Sequence, residues 1–233
     1  MNSMLEQLRN GLVVSCQALE HEPLHGAHIM ARMARAAEEG GAVGIRANGA
    51  EDVAAIKQVT GLPVIGLVKQ NYADSEVFIT PTWKEVEQLI TAGADIVALD
   101  ATRRRRPNGE TLESLITAMK EQGQPIMADV STMEEAEYAE SLGVDCVSTT
   151  LSGYTSYSPQ NAGPDYELVK RAVKQLSIPV IAEGRIWSPK EAVKMLELGA
   201  YAVVVGTAIT RPQEITKRYV AELSVFRLAK EKV

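Results

Sequence analysis

Three short apolar runs in this chain open on proline and close on an ionisable side chain: Pro63-Val-Ile-Gly-Leu-Val-Lys69, Pro125-Ile-Met-Ala-Asp129 and Pro179-Val-Ile-Ala-Glu183. A continuous run of β-branched and aliphatic residues marks a parallel strand covered on both faces, and such a strand tolerates proline only at its first residues. The charge then falls at the carboxyl end. In a closed (β/α)8 barrel that end is where functional side chains converge, each from a different strand.

Eight such runs can be read, at Leu12–Gln17, Val43–Ala47, Val64–Lys69, Ile96–Thr102, Ile126–Ser131, Cys146–Leu151, Val180–Gly184 and Ala202–Thr207. Helical periodicity fills the gaps, with Ala136, Tyr138, Ala139 and Leu142 on one side of one segment and Ala192, Val193, Leu196 and Leu198 on one side of another. Ser188-Pro-Lys-Glu, Thr82-Trp-Lys-Glu and Thr132-Met-Glu-Glu are capping boxes, and Gly93, Gly143 and Gly199 end helices in the left-handed conformation. Glycine turns precede strands 4, 6 and 8, whereas proline precedes strands 3, 5 and 7. This alternation, and a length of 233 residues, predict one TIM barrel domain over residues 1–233. An open doubly wound sheet is the fallback. It would need a glycine-rich phosphate turn after the first strand, where Ser15-Cys-Gln-Ala-Leu-Glu stands instead.

With 24 basic and 30 acidic side chains, net charge −6, the chain lacks the concentrated basic face that a nucleic-acid binder needs. No membrane role is expected. The stretch from Met1 to Arg9 reads as a short leading helix rather than a signal peptide, which places the protein in the cytoplasm. Cys16 and Cys146 are too few for a disulfide scaffold and read as reduced, buried packing, Cys16 facing the helices if Gln17 faces the barrel. His21, His25 and His28 read as loop and first-turn residues, with no carboxylate pair or cysteine to complete a metal site. No metal and no cofactor are expected.

The odd strands would bring Gln17, Lys69, Asp129 and Glu183 to one mouth, with Lys69 two residues further along its strand and about 6–7 Å higher. Even strands add Arg46 and Asp100. So many ionisable groups together are costly to bury without a ligand or mutual pairing. A second constellation, Gly184 and Arg185 after strand 7 with Gly206, Thr207 and Arg211 after strand 8, lies where barrels commonly hold a phosphate. The run Arg103 to Arg106 after strand 4 reads as a solvated loop or as a basic rim steering an anion inward.

The chain resembles the N-acetylmannosamine-6-phosphate 2-epimerases over nearly its whole length. The likeness rests on Ser15-Cys-Gln-Ala, Gly44-Ile-Arg-Ala-Asn, Leu67-Val-Lys, Asp100-Ala-Thr with Arg-Arg-Pro behind it, Ala128-Asp, Thr149-Thr-Leu-Ser-Gly-Tyr-Thr, Ala182-Glu-Gly-Arg and Val205-Gly-Thr-Ala-Ile-Thr-Arg-Pro. It implies a phosphate-binding barrel, like those that bind ribulose phosphate, acting in amino-sugar and sialic acid breakdown. The implied reaction interconverts N-acetylmannosamine 6-phosphate and N-acetylglucosamine 6-phosphate. Lys69 then matches the catalytic lysine and Glu183 the active-site carboxylate. Gln17, Arg46 and Asp129 match sugar-binding positions, and the strand 7 and 8 loops match the phosphate site. A homodimer is implied by analogy.

Inverting carbon 2 next to an aldehyde requires proton removal, an enolate and proton return on the other face. A lysine does this as a free amine, so its pKa must fall from about 10.4 toward roughly 7–8 through burial and a cation, for which Arg46 is the candidate. Direct contact with Glu183 would work against that. Two alternatives stand beside this reading: a lyase barrel in which Lys69 forms a Schiff base, and a non-catalytic sugar-phosphate sensor.

Overall fold

The structure, a computed structural model, describes residues 3–230, with side chains up to residue 226. Eight parallel strands close into a barrel in sequence order: β1 (Leu12–Cys16), β2 (Gly44–Asn48), β3 (Val64–Leu67), β4 (Ile96–Asp100), β5 (Ile126–Asp129), β6 (Cys146–Ser148), β7 (Val180–Glu183) and β8 (Ala202–Val205). Helices α1 (Ser3–Gln7), α2 (Ala27–Glu39), α3 (Ala50–Val59), α4 (Trp83–Thr91), α5 (Leu112–Glu121), α6 (Met133–Leu142), α7 (Tyr166–Gln175), α8 (Pro189–Glu197), α9 (Thr207–Thr210) and α10 (Pro212–Lys230) lead, separate and follow them. Met1 and Asn2, which open the expected leading helix, lie outside the described residues.

The punctuation works as local chemistry predicts. Carbonyls of Pro63, Pro125 and Pro179 accept the amides of Ile45, Val97 and Val147 on the preceding strands, so each proline enters the sheet where its missing N–H is not needed. Glu85, Glu135 and Glu191 reach back to the backbone amides of Thr82, Thr132 and Ser188 and close the capping boxes. Gly93, Gly143 and Gly199 have φ of 85°, 83° and 96°, a left-handed turn that drops the chain into the next strand. One helix face differs from the periodic reading. Val193 is exposed and Met195 is buried, because the inward arc of α8 runs through Ala192, Met195 and Leu196, and Val193 is rotated off it.

Alternation along the strands separates two apolar layers. Val14, Cys16, Val64, Val97, Leu99, Ala128 and Val147 point outward to the helices. Val13, Ile65, Ile96, Met127, Cys146, Ile181 and Val204 fill the barrel. Both cysteines are free and buried, and burial pushes the Cys16 thiol up to about 12, so neither is a ready nucleophile. Helix α1 and the turn after it plug the amino end of the barrel with Leu5 and Leu8. Gly44 makes room for that plug, since a Cβ there would lie 2.5 Å from Leu8 Cδ2.

The strands are shorter than the apolar runs, and the difference places the site. β3 pairs with β4 through only two residue pairs, whereas β2 and β3 share four. Beyond Leu67 the chain leaves the β4 ladder, forms a hairpin in which Lys69 bridges Ile79 in antiparallel fashion, and returns against β4, whose Asp100 amide donates to Ile79 O at 3.0 Å. Lys69 is therefore on this hairpin and not on the strand proper. Helix α10, by contrast, leaves Tyr219, Val220, Leu223 and Val225 exposed.

The contact at Gly44 gives a stability prediction. Gly44→Ala should cost about 1–3 kcal/mol in urea unfolding through overpacking, and much less in a Leu8→Ala background, where the clashing methyl groups are gone. Equal costs in both backgrounds would show that the plug does not sit against this glycine.

Candidate active site

At the carboxyl end of the barrel a cavity of about 440 Å³ is lined by Ser15, Gln17, Lys69, Glu183, Gly184, Arg185, Gly206, Thr207 and Arg211, with Ile79, Thr150, Tyr154 and Trp187 among its other walls. Eight of the eleven residues singled out from the sequence thus face one space. Arg46, Asp129 and Asp100 are the others, all fully buried; Arg46 bonds the lining residues Glu183 and Thr150, and Asp100 is turned to Arg104.

Arg46, pointing inward from β2, holds both odd-strand carboxylates. Its Nη1 and Nη2 form a fork on Asp129, with Nη1 3.0 Å from Oδ1, and Nη1 also donates to Glu183 Oε2 at 2.7 Å. Thr150 Oγ1 donates into the same group, 2.7 Å from Asp129 Oδ1 and 3.1 Å from Glu183 Oε2. Burial opposes the guanidinium charge, but the two carboxylates outweigh it and keep Arg46 ionised. Burial, reinforced by Asp129, holds the Glu183 carboxyl above its ordinary pKa despite Arg46. Oε2 of Glu183 is thereby occupied. Among the described residues its other oxygen, Oε1, has no hydrogen-bond partner, and Glu183 lines the cavity.

Lys69 stands across from this group with its backbone fixed: its amide donates to Asn48 Oδ1 at 2.7 Å. Among the described residues it forms no ion pair, because Glu183 is turned toward Arg46. Burial first, then the positive charges of Arg46 and Arg211, bring the Lys69 amine down to about 8 against the opposing pull of Glu183 and Glu22. Arg46 is the cation that the sequence singled out for this effect. Gln17 is anchored through Nε2 to Ser15 Oγ at 2.9 Å, and its buried Oε1 has no partner among the described residues.

The loops after β7 and β8 form the far wall. Gly184 has φ 108°, and Arg185 is itself left-handed with φ 55°. Arg185 Nε donates to Gly163 O at 2.8 Å, and its guanidinium lies against Gly153, where a Cβ would fall 1.6 Å from Nη1. Gly206 has a negative φ, so its need for glycine comes from the close approach of Ser15 Cβ, 3.2 Å from a built Cβ. Arg211 is shared: Nη2 bonds Glu22 Oε2 at 2.7 Å, which ties the β1 loop to the start of α10.

Several participants were not singled out in the sequence. Thr150 lies two residues beyond Ser148, as Lys69 lies two beyond Leu67, so alternation alone would have marked it. Tyr154, like Thr150, stands within Thr149-Thr-Leu-Ser-Gly-Tyr-Thr, where the sequence assigns it no role, and Glu22, on the β1 loop, carries no such signal. The arginine run is neither wholly solvated nor a simple rim. Arg106 is buried, Arg104 pairs with Asp100 at 2.7 Å, Arg103 stacks 3.9 Å over Tyr138, and Arg105 is exposed. His25 Nδ1 lies 3.2 Å from Ala18 O, within the β1 loop. No helix among the described residues is long and apolar enough to cross a membrane.

A lysine amine held below its ordinary value destabilises the fold wherever the unfolded chain would carry the proton and the folded one resists it. That cost is full below about pH 8 and vanishes as pH rises toward the unfolded value. Lys69→Met should therefore be more stable than the parent at pH 7, by on the order of 1–3 kcal/mol, with the gain shrinking between about pH 8 and 10. Denaturant titrations at both pH values test this. A variant less stable than the parent at pH 7 would mean that the amine is stabilised where it sits.

Comparison with known proteins agrees with this geometry. Residues 30–225 match the family model NanE, "Putative N-acetylmannosamine-6-phosphate epimerase". A relative from Caldanaerobacter subterraneus subsp. tengcongensis is 60% identical over 219 residues, covering 93% of this chain and 92% of its own. One from Clostridioides difficile is 57% identical over 222 residues, covering 95% and 100%. Both are described as "Putative N-acetylmannosamine-6-phosphate 2-epimerase". The solved N-acetylmannosamine-6-phosphate 2-epimerase from Clostridium perfringens superposes with a TM-score of 0.93 at 55% identity, covering 94% of this chain and 96% of that one. The chain belongs to the N-acetylmannosamine-6-phosphate epimerase family.

Proposed function

We infer that this protein is an isomerase that interconverts N-acetylmannosamine 6-phosphate and N-acetylglucosamine 6-phosphate by removing and returning the proton on carbon 2, in amino-sugar and sialic acid catabolism. The observation that carries the reading is Lys69: an amine with a pKa near 8, unpaired among the described residues, facing a cavity whose opposite wall offers glycine-lined loops and arginines to an anion. At pH 7 about a tenth of such amines are neutral, roughly 250-fold more than for a lysine at 10.4.

The roles follow from position. In the open-chain sugar, Lys69 accepts the carbon 2 proton as the bond pair moves into the enolate; a solvent-exchangeable acid then protonates carbon 2 on the opposite face, and the Lys69 ammonium gives up its proton to solvent. Glu183 presents Oε1 to the substrate and serves the sugar hydroxyls or ring opening, since Oε2 is taken by Arg46 and Thr150. Arg46 and Asp129 serve as sugar-binding residues, and Arg46 also holds Glu183 Oε2 and lends Lys69 a neighbouring positive charge. Gln17 offers Oε1 as an acceptor to the sugar. Gly184, Arg185, Gly206, Thr207 and Arg211 hold the phosphate, where backbone amides and charge-assisted hydrogen bonds meet. Proton transfer alone inverts the carbon, so neither metal nor cofactor is required. Family membership favours this reading over a Schiff-base lyase or a sensor.

The net charge of −6 argues against a nucleic-acid partner, and the free, buried cysteines suit a reducing cytoplasm. The exposed apolar residues of α10 suit a homodimer. Leu223→Glu should then give a monomer by sedimentation, and an unchanged mass would remove α10 from the interface.

Turnover in deuterated water should place deuterium at carbon 2 of the product, with or without a chelator present. Lys69→Ala should lower the rate by about 10²–10⁴, the range for loss of general base catalysis. Near-native turnover by that variant, or label at any other carbon, would overturn the assignment.

A further inference from the structure

Lys69 owes its position to a hairpin that wedges into the barrel wall between β3 and β4, and this hairpin is under conformational strain. Its return limb passes through Thr80, which has φ 45° although it is β-branched, a backbone state that such residues rarely adopt. Something must hold it there. Thr80 N donates to Val68 O at 2.7 Å, and Thr80 Oγ1 accepts from Val68 N at 3.1 Å while donating to Ala98 O at 2.6 Å. The side chain thus substitutes for ladder bonds that β3 and β4 no longer make with each other.

The remaining carbonyls at this junction are served by one buried arginine. Arg106, 3% exposed, donates through Nη1 to Thr80 O at 3.2 Å and Pro81 O at 2.9 Å, and through Nη2 to Asp100 O at the end of β4. Three carbonyls, two on the hairpin limb and one on the barrel, converge on a single planar fork. A lysine cannot reproduce that geometry. The same segment ties down the hairpin tip, where Ser75 Oγ donates to Arg105 O at 2.7 Å and the Asn108 amide lies 3.4 Å from Asp74 Oδ2. Arg104 secures the segment itself through Asp100.

We propose that the arginine segment is a brace for the Lys69 hairpin, and that Arg106 is a positioning residue which keeps Lys69 and Ile79 seated over the barrel mouth by clamping strained Thr80 to the end of β4. Its influence on the chemistry passes through the hairpin, because Arg106 is not among the residues lining the cavity. Burial is the largest cause of the depressed Lys69 basicity, so a loosened hairpin lets water reach the amine and returns it toward ordinary lysine behaviour. The proposal rests on the reading of Lys69 as base only for its effect on turnover; the brace itself does not depend on it.

The test is Arg106→Lys, which keeps the charge and loses the fork. Titration of Lys69 by trace acetylation across pH, read by mass spectrometry, should show its midpoint rising from about 8 by about one unit, a tenfold loss of neutral amine at pH 7. Hydrogen exchange at the Thr80 and Asp100 amides should accelerate, while exchange in β6 to β8 stays as in the parent. Turnover should fall with little change in KM. An unchanged Lys69 midpoint together with unchanged hairpin exchange would overturn the proposal. Should Arg106→Lys fail to fold, Ser75→Ala removes the tip tie to Arg105 together with the acceptor of the Val77 amide, and should accelerate hairpin exchange with a smaller upward shift; no change in either would equally overturn the proposal. Because acetylation and exchange need no turnover, a fully active Lys69→Ala protein would sink the catalytic reading and leave the brace standing or falling on its own measurements.

Discussion

The ion group formed by Arg46, Asp129 and Glu183 is the constraint on which the site depends. Buried charges are expensive, and here one solvent-inaccessible guanidinium satisfies a fully buried carboxylate and a second that opens onto the cavity. The geometry is good: a fork onto Asp129, a second acceptor in Glu183, and a threonine hydroxyl between them. An apolar trio of similar volume would give the barrel comparable stability, but it would remove both the cation beside Lys69 and the cavity carboxylate, and loss of Arg46 alone would leave Glu183 free to pair with the amine. Lys69 would then be locked as an ammonium. The network is best understood as the device that keeps an acid and a base apart in one small cavity.

Most of the barrel could be read from the chain because its rules are local. Proline at strand entries, glycine at helix ends and glutamate in capping boxes each act within a few residues, and all three recur where expected. The convergence of Lys69, Glu183, Gln17 and the strand 7 and 8 loops followed from strand parity and barrel closure. What escaped was of a different kind. That Arg46 pairs with Asp129 and Glu183 at once depends on how long side chains cross the barrel interior. That Lys69 rides a hairpin depends on the truncated pairing of β3 with β4, which no run of apolar residues encodes. The outward turn of Val193 hinged on a single 100° step along α8.

The arginine run shows how charge in a sequence can mislead when read as surface. Four consecutive guanidinium groups in a net-negative protein suggest a steering rim, yet each has a distinct setting: Arg103 on an aromatic ring, Arg104 on a carboxylate, Arg105 toward solvent and Arg106 on three carbonyls. Arginine suits the last of these because its fork remains charged even when buried; burial lowers the Arg106 guanidinium only to about 10. The loops after β7 and β8 use a similar economy of parts. Gly153 leaves space for Arg185, and Arg185 in turn tethers the loop after β6 through Gly163, so the loop after β7 and that loop are built as one unit.

The central claim is that the ion group leaves Lys69 a weakly basic, unpaired amine. Its most direct test is a ¹³C NMR titration of the Lys69 ε-carbon in the free protein, repeated with Glu183→Gln. The account predicts a midpoint near 8 in the parent and a lower one in the variant, since Glu183 is the stronger of the two charges pulling the amine upward. A midpoint near 10.5 in the parent, falling only when Glu183 is neutralised, would show a Lys69–Glu183 ion pair and contradict the account.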